Sequence, residues 1–184
     1  MKYVIRDAEL KDAEDILNIY SYYITDTAIT FEYDVPEIES FRNRMAGIME
    51  KYPYIVVTEN DKILGYAYAG AFKQRAAYDW CCELTVYIDK NHKKCGLGKL
   101  LYSELEKRLV QMGIVNMYAC ITYTDNEDRY LTNNSFEFHS HIGFELVGRF
   151  KKCGYKFGKW YDMVWTEKVI GSHNADMQPV KFRN

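Results

Sequence analysis

The stretch that decides the fold is Cys81-Cys82-Glu83-Leu84-Thr85-Val86-Tyr87-Ile88-Asp89-Lys90-Asn91-His92-Lys93-Lys94-Cys95-Gly96-Leu97-Gly98-Lys99-Leu100-Leu101. Cys82, Leu84, Val86 and Ile88 alternate with Glu83, Thr85 and Tyr87, the two-residue period of a strand. The basic turn Asn91-His92-Lys93-Lys94 follows, and Gly96-Leu97-Gly98 opens a helix whose Leu97, Leu101, Leu105 and Leu109 recur every fourth residue. A strand, a cationic glycine turn and a helix start together suit a phosphate ester. Backbone N–H groups converge there, the helix N-terminus adds partial positive charge, and glycine lets the ligand approach the chain. A surface strand-to-helix turn is the alternative reading of the same residues.

Two phosphate loops are excluded. A dinucleotide fingerprint needs a third glycine where Leu101 stands, and a nucleoside-triphosphate loop needs Ser or Thr where Leu100 follows Gly98-Lys99. What remains, Lys93-Lys94-Cys95-Gly96-Leu97-Gly98, resembles the pyrophosphate loop of the GCN5-related N-acetyltransferases. That family usually has Arg or Gln where this chain has Lys93. The resemblance implies that this loop and Lys99 hold the diphosphate of acetyl-coenzyme A.

The chain has 184 residues, enough for one domain with a substantial core. Its 48% hydrophobic content excludes wholesale disorder, and a net charge of −2 gives no general polycation for nucleic acid. No apolar run reaches the ~20 residues of a membrane span, and Met1-Lys2-Tyr3-Val4-Ile5-Arg6 does not read as a signal peptide. The five cysteines, Cys81, Cys82, Cys95, Cys120 and Cys153, lie mostly in apolar segments, so buried reduced thiols in a cytoplasmic protein are expected. No Cys-x-x-Cys pair or helical His pair points to a metal.

Strands are expected at 3–6, 54–58, 63–72, 82–88 and 116–121, with a hairpin of 144–152 and 159–168 at the end. Helices are expected after Asp12, after Pro36, from Leu97, and over 135–141 up to Gly143. Residues 1–170 form the domain, and 171–184 lose periodicity and read as a mobile polar tail. The order suggests an α/β domain. The acetyltransferase resemblance implies a mixed, mostly antiparallel central sheet flanked by helices.

Transfer of acetyl from a thioester to an amine needs a polarised carbonyl, a base for the ammonium and a proton for the departing thiolate. Glu83 is the carboxylate upstream of the turn, on the strand face opposite Cys82 and Leu84; it is either that base or a solvated surface group. Cys81, Cys82 and Cys95 have no evident paired base, which disfavours a covalent cysteine route.

Four further segments, in order, resemble the phosphinothricin and methionine sulfoximine N-acetyltransferases. These are Thr30-Phe31-Glu32 with Pro36, the run 72–87, His139-Ser140-His141-Ile142-Gly143-Phe144, and Gly154-Tyr155-Lys156-Phe157-Gly158-Lys159-Trp160-Tyr161-Asp162. The resemblance makes Glu83 the general base, through a water, and sets His139 beside the thioester, where an imidazole can exchange a proton near neutrality. A histidine packing on the core is the bland alternative. Lys73, Arg75 and Tyr78 would form the acceptor subsite, with Phe31 as its apolar wall; a guanidinium and an ammonium suit an acceptor with anionic ends. Solvated loop charges are the other reading of Lys73 and Arg75. The strand backbone at Thr85, Val86 and Tyr87 offers groups to an extended pantetheine arm. The family's coenzyme-contacting Asn falls at Thr132 here, leaving either Thr132 or Asn133 for that contact. A small-molecule amine acceptor and a homodimer complete what the resemblance implies. Acetylation of another amine or a peptide N-terminus, and a non-catalytic acyl-coenzyme A-binding module, stand as alternatives.

Overall fold

In the computed structural model, residues 2–183 are described. They form a seven-stranded sheet in the order β1-β2-β3-β4-β5-β7-β6. The strands are β1 (Val4–Asp7), β2 (Tyr54–Glu59), β3 (Lys62–Ala71), β4 (Cys81–Ile88), β5 (Asn116–Tyr123), β6 (Glu145–Lys156) and β7 (Lys159–Val169). The helices are α1 (Ala13–Asp26), α2 (Ile38–Met49), α3 (Leu97–Met112) and α4 (Asn134–His141). Every pairing is antiparallel except β4 with β5, which α3 connects.

Alternation along the strands builds two cores. Ile55, Val57, Ala67, Ala69, Cys82 and Leu84 face the leucine stripe of α3, with Leu101, Leu105 and Leu109 each fully buried. Tyr54, Val56 and Tyr66 face Ile16, Tyr20 and Ile24 of α1 and Phe41 and Met45 of α2. Tyr87, on the β4 face expected to look outward, packs instead against Tyr20 and Tyr23, with ring centroids 4.9 and 4.8 Å away. The reason is simple: helices cover this face too, so its alternation divides two cores rather than core from solvent.

Three expectations need correction. β6 runs on to Lys156 because a bulge between Phe150 and Gly154 absorbs the irregular stretch. There the Asp162 carboxylate accepts the Lys152 N–H at 2.7 Å. The polar tail is packed: Trp80 donates its indole N–H to the Gln178 carbonyl, and Lys181 N–H bonds the Met112 carbonyl. Phe182 meets Tyr52 edge-on at 5.4 Å, so two apolar residues, Val180 and Phe182, dock a segment that otherwise reads as hydrophilic. All five cysteines are free, but only Cys82 is buried; Cys95, Cys120 and Cys153 are exposed. Among the described residues no helix is long and apolar enough to cross a membrane.

Candidate active site

The parallel pairing of β4 and β5 holds only over Cys81, Cys82 and Glu83 against Asn116, Met117 and Tyr118. Beyond Glu83 no ladder joins the two strands. β4 stays paired to β3 through Ile88, and β5 to β7 through Tyr123. The sheet therefore splits while each half remains anchored. The split is a cleft of about 390 Å³, in the size range of small-molecule sites, whose lining includes Phe31, Glu83, Thr85, Val86, Tyr87 and His139. Two facing strand edges inside it expose backbone groups that an extended ligand can pair with.

The glycine turn closes one end. Asp89 caps a short 3-10 turn, Lys90–His92, by accepting the Asn91 N–H at 2.7 Å. Burial alone would lift the Asp89 carboxyl, but the Asn91 N–H and the His92 ring outweigh it and hold it below the usual range. Gly96 is the N-cap of α3 at φ 80°, left-handed backbone that suits glycine, and nothing lies within 4 Å of where its Cβ would stand. The N–H groups of residues 97–99 precede the first helical bond, Leu100 N–H to the Gly96 carbonyl. They form an open cradle at a positive helix end, which fits a diphosphate. Gly98 has another purpose: a Cβ there would lie 3.2 Å from the Phe138 ring, so its absence lets α4 close on α3. Lys93 lies over the Tyr22 and Tyr23 rings at 4.8 and 5.0 Å, its stem packed on α1, and burial lowers its pKa.

Glu83 is half-buried, and burial raises its pKa; the nearby Lys73 charge offsets part of that rise. Its cross-strand neighbour on β3 is Gly70, where a Cβ would meet nothing within 4 Å, so space opens beside the carboxylate. Lys73 Nζ sits 4.9 Å from the Phe72 ring and 5.7 Å from that of Trp165. Arg75 and Tyr78 are exposed on the adjoining segment, and none of Lys73, Arg75 and Tyr78 is in the cleft lining; of the three, Lys73 is the one whose charge reaches Glu83.

His139 is 3% exposed. Its Nδ1 is 2.6 Å from the Ser135 carbonyl, an acceptor, so Nδ1 carries the proton. Nε2 is left to accept from the Tyr102 hydroxyl, also at 2.6 Å. Burial pushes the imidazole pKa down to about 4, so the ring is neutral near pH 7. The same burial lifts the Tyr102 phenol well above its ordinary value. Tyr102 lines the cleft beside His139. The α3 sequence did not single it out, because a tyrosine next to the leucine stripe reads as packing.

This buried imidazole has a consequence for stability. The unfolded chain binds the His139 proton from about pH 6.5 downward, whereas the folded chain takes it up only near pH 4. The unfolded state therefore holds more protons across that window, and stability falls as pH drops through it, by up to about 3 kcal/mol. Urea unfolding at pH 7.0 and 4.5 measures the loss, and His139→Gln should flatten the dependence.

Asn133 donates its amide to the Thr124 carbonyl at 2.8 Å and accepts the Thr124 N–H at 3.2 Å. Its side chain thus fastens the end of β5 to the start of α4. The Thr132 hydroxyl accepts from Asn134.

A larger hollow of about 860 Å³ lies on the outer side of α3 and α4. Its charged lining includes Glu106, already paired with Lys168 at 2.7 Å, and it lacks the base-and-backbone arrangement of the cleft. Among the described residues no group of three His, Cys, Asp or Glu is placed to hold a metal ion.

The chain is similar to known acetyltransferases in sequence and in fold. Residues 5–165 match the family model described as the acetyltransferase (GNAT) domain. The chain is 30% identical over 159 residues to phosphinothricin N-acetyltransferase of Streptomyces viridochromogenes, covering 86% of this chain and 83% of that one. It is 27% identical over 175 residues to the L-methionine sulfoximine/L-methionine sulfone acetyltransferase of Salmonella typhimurium, covering 93% and 96%. The crystal structure of a phosphinothricin acetyltransferase from Sinorhizobium meliloti, in complex with acetyl-coenzyme A, superimposes with a TM-score of 0.86 at 31% identity, covering 98% of this chain and 95% of that one.

Proposed function

Because the chain belongs to the acetyltransferase (GNAT) family, we propose that its cleft transfers acetyl from acetyl-coenzyme A directly to the α-amine of a small amino acid or amino-acid analogue. The relatives named for phosphinothricin and methionine sulfoximine set the substrate class, and the split between β4 and β5 beside Glu83 is the observation that carries the reading. Acetyl-coenzyme A supplies the activated acyl group.

The parts divide as follows. The N–H cradle at 96–99 takes the diphosphate, and the open edge at residues 85–87 takes the pantetheine arm. Glu83 accepts the ammonium proton, the freed amine attacks the thioester carbonyl, and the C–S bond breaks to release the thiolate. The Tyr102 hydroxyl leaves its bond to His139 Nε2 to give its proton to the departing sulfur and regains one from the attacking nitrogen as the amide forms, and His139 is the acceptor that holds the hydroxyl in place between turnovers. A neutral His139 has no proton on Nε2 to give, which favours this arrangement over direct donation. Lys73 and Arg75 meet the anionic ends of the acceptor, and Phe31 walls the apolar part.

Arg75→Ala tests the acceptor class. The Michaelis constant for an amino-acid acceptor should rise roughly tenfold or more, as for a lost charge-assisted bond, with that for acetyl-coenzyme A nearly unchanged. Equal shifts in both constants would remove Arg75 from the acceptor subsite. A polyamine accepted better than methionine sulfoximine would favour another amine class, since Lys73 and Arg75 repel polycations.

The free thiols support placement in the cytoplasm. A homodimer is supported by β6, the sheet's terminal strand, which exposes Leu146, Val147 and Phe150 beside Tyr155 and Trp160 of the hairpin end. Light scattering reads that state directly.

A further inference from the structure

A lysine is almost never fully buried unless something holds it there. Lys156, near the end of β6, is 2% exposed, and its Nζ donates to the Thr30 carbonyl at 2.8 Å. Two residues earlier, Gly154 meets the same loop. A Cβ on Gly154 would lie 2.1 Å from Cζ and 2.2 Å from Cε2 of Phe31, so the phenyl ring occupies the space that any other residue would fill. Gly154 is outside the left-handed region, so its backbone accepts alanine and only the ring objects. Phe31 lines the cleft, and Gly154, which the ring covers, does not.

The rest of the loop is pinned from other directions. Ala28 N–H bonds the Tyr130 carbonyl at 3.0 Å, the Thr122 hydroxyl donates to the Ile29 carbonyl at 3.2 Å, and the Tyr20 and Thr30 hydroxyls lie 2.9 Å apart. Tyr33 donates its hydroxyl to the Tyr155 carbonyl, between the two hairpin residues in question. Loop 28–33 therefore has its early residues fixed by β5, α1 and the 125–133 segment, and Arg44 of α2 pairs with Glu32 at 2.6 Å, while Gly154 of the hairpin makes the close approach to the Phe31 ring itself.

We infer that the closed end of the β6–β7 hairpin, through Gly154 and Lys156, sets how far Phe31 reaches into the cleft and so selects acceptors by side-chain size. The inference rests on the reading that Phe31 walls the acceptor subsite. Gly154 and Lys156 touch no reacting atom; they are positioning residues for the wall. An alanine methyl at Gly154 pushes the ring toward the cleft and narrows it. Loss of the Lys156 ammonium frees the Thr30 carbonyl and loosens the same wall.

The test is a steady-state comparison of wild type, Gly154→Ala, Phe31→Ala, the double variant, Lys156→Met and Lys156→Arg. Acceptors are α-amino acids of increasing side-chain length together with methionine sulfoximine. Gly154→Ala should lower kcat/KM for the longer acceptors roughly 10- to 100-fold, the usual cost of an ångström-scale misplacement. Short acceptors should suffer much less, and the Michaelis constant for acetyl-coenzyme A should stay within about twofold of wild type. In the Phe31→Ala background the methyl should have almost no effect, because the ring it displaces is gone. Lys156→Met should raise the Michaelis constant for all acceptors, and Lys156→Arg should restore much of the loss. An equal effect of Gly154→Ala with and without Phe31 overturns the inference, as does a parallel rise in both Michaelis constants. If Phe31→Ala changes acceptor kinetics while Gly154→Ala does not, the inference fails and the acceptor reading stands. If Phe31→Ala leaves every acceptor constant unchanged, Phe31 is no wall and both fail. The double variant relieves the clash, so it reports even if Gly154→Ala folds poorly.

Discussion

Glu83→Gln should lower turnover roughly 10²- to 10⁴-fold at pH 7, the usual worth of a positioned acid–base group. The substitution keeps shape and burial and removes only basicity. An amino-acid acceptor arrives as an ammonium, so its attack waits on a proton that Glu83 takes. Because burial raises the Glu83 pKa, wild-type activity should fall with acid at a pH above the ordinary glutamate range. Lys73 pulls that pKa back down, so Lys73→Met should move the acid limb to higher pH. In Glu83→Gln the acid limb disappears, and part of the lost rate returns at high pH, where more acceptor is already free amine. Affinity for acetyl-coenzyme A should change little, since its diphosphate cradle lies a full strand and turn away. Near wild-type turnover in Glu83→Gln, with His139→Ala inactive, would move the base assignment to the imidazole.

Gly98→Val should produce the opposite pattern. The Cβ site at Gly98 is already 3.2 Å from the Phe138 ring, and a branched side chain cannot fit there without parting α3 from α4. That shift carries the N–H cradle out of line, and each charge-assisted bond lost is worth about 1.5–3 kcal/mol. The Michaelis constant for acetyl-coenzyme A should rise roughly 10- to 100-fold, one to two such bonds. His139 travels with α4, so turnover falls as well. Gly96→Ala isolates the backbone contribution: its site is open, and the only cost is the left-handed φ, about 1–2 kcal/mol. Titration calorimetry with acetyl-coenzyme A separates the two variants.

Much of this was legible in the sequence, and the reasons differ by element. The β4 alternation, the Gly96-Leu97-Gly98 turn and the α3 leucine stripe are local periodicities, and each element formed where its period placed it. Glu83 stood out as the carboxylate on the strand just upstream of the glycine turn, and it lies at the last rung of the β4–β5 ladder, where the cleft opens. The meaning of that face was not. Tyr87 read as outward because one strand cannot reveal that α1 and α2 cover its second side. Tyr102 was invisible for a similar reason: its partner, His139, stands 37 residues away, and no period joins them. Lys156 belonged to a recognised segment, but its burial depends on a carbonyl 126 residues distant in the chain. The tail misled because two apolar side chains suffice to dock a polar segment, and composition averages them away. Cysteine exposure misled because Cys120 and Cys153 face a ligand cleft, which a hydropathy pattern does not distinguish from core.

Direct acetylation of a small α-amine is measured by thiol release from acetyl-coenzyme A at neutral pH, with methionine sulfoximine, phosphinothricin and a panel of amino acids, and the products weighed by mass spectrometry. Thiol release should depend on the amine, with one N-acetylated product per thiol, and acceptors whose α-amine is blocked should give none. Acetyl-coenzyme A binding without stimulated release by any small amine would contradict direct acetylation, and would make the chain an acyl-coenzyme A-binding module instead.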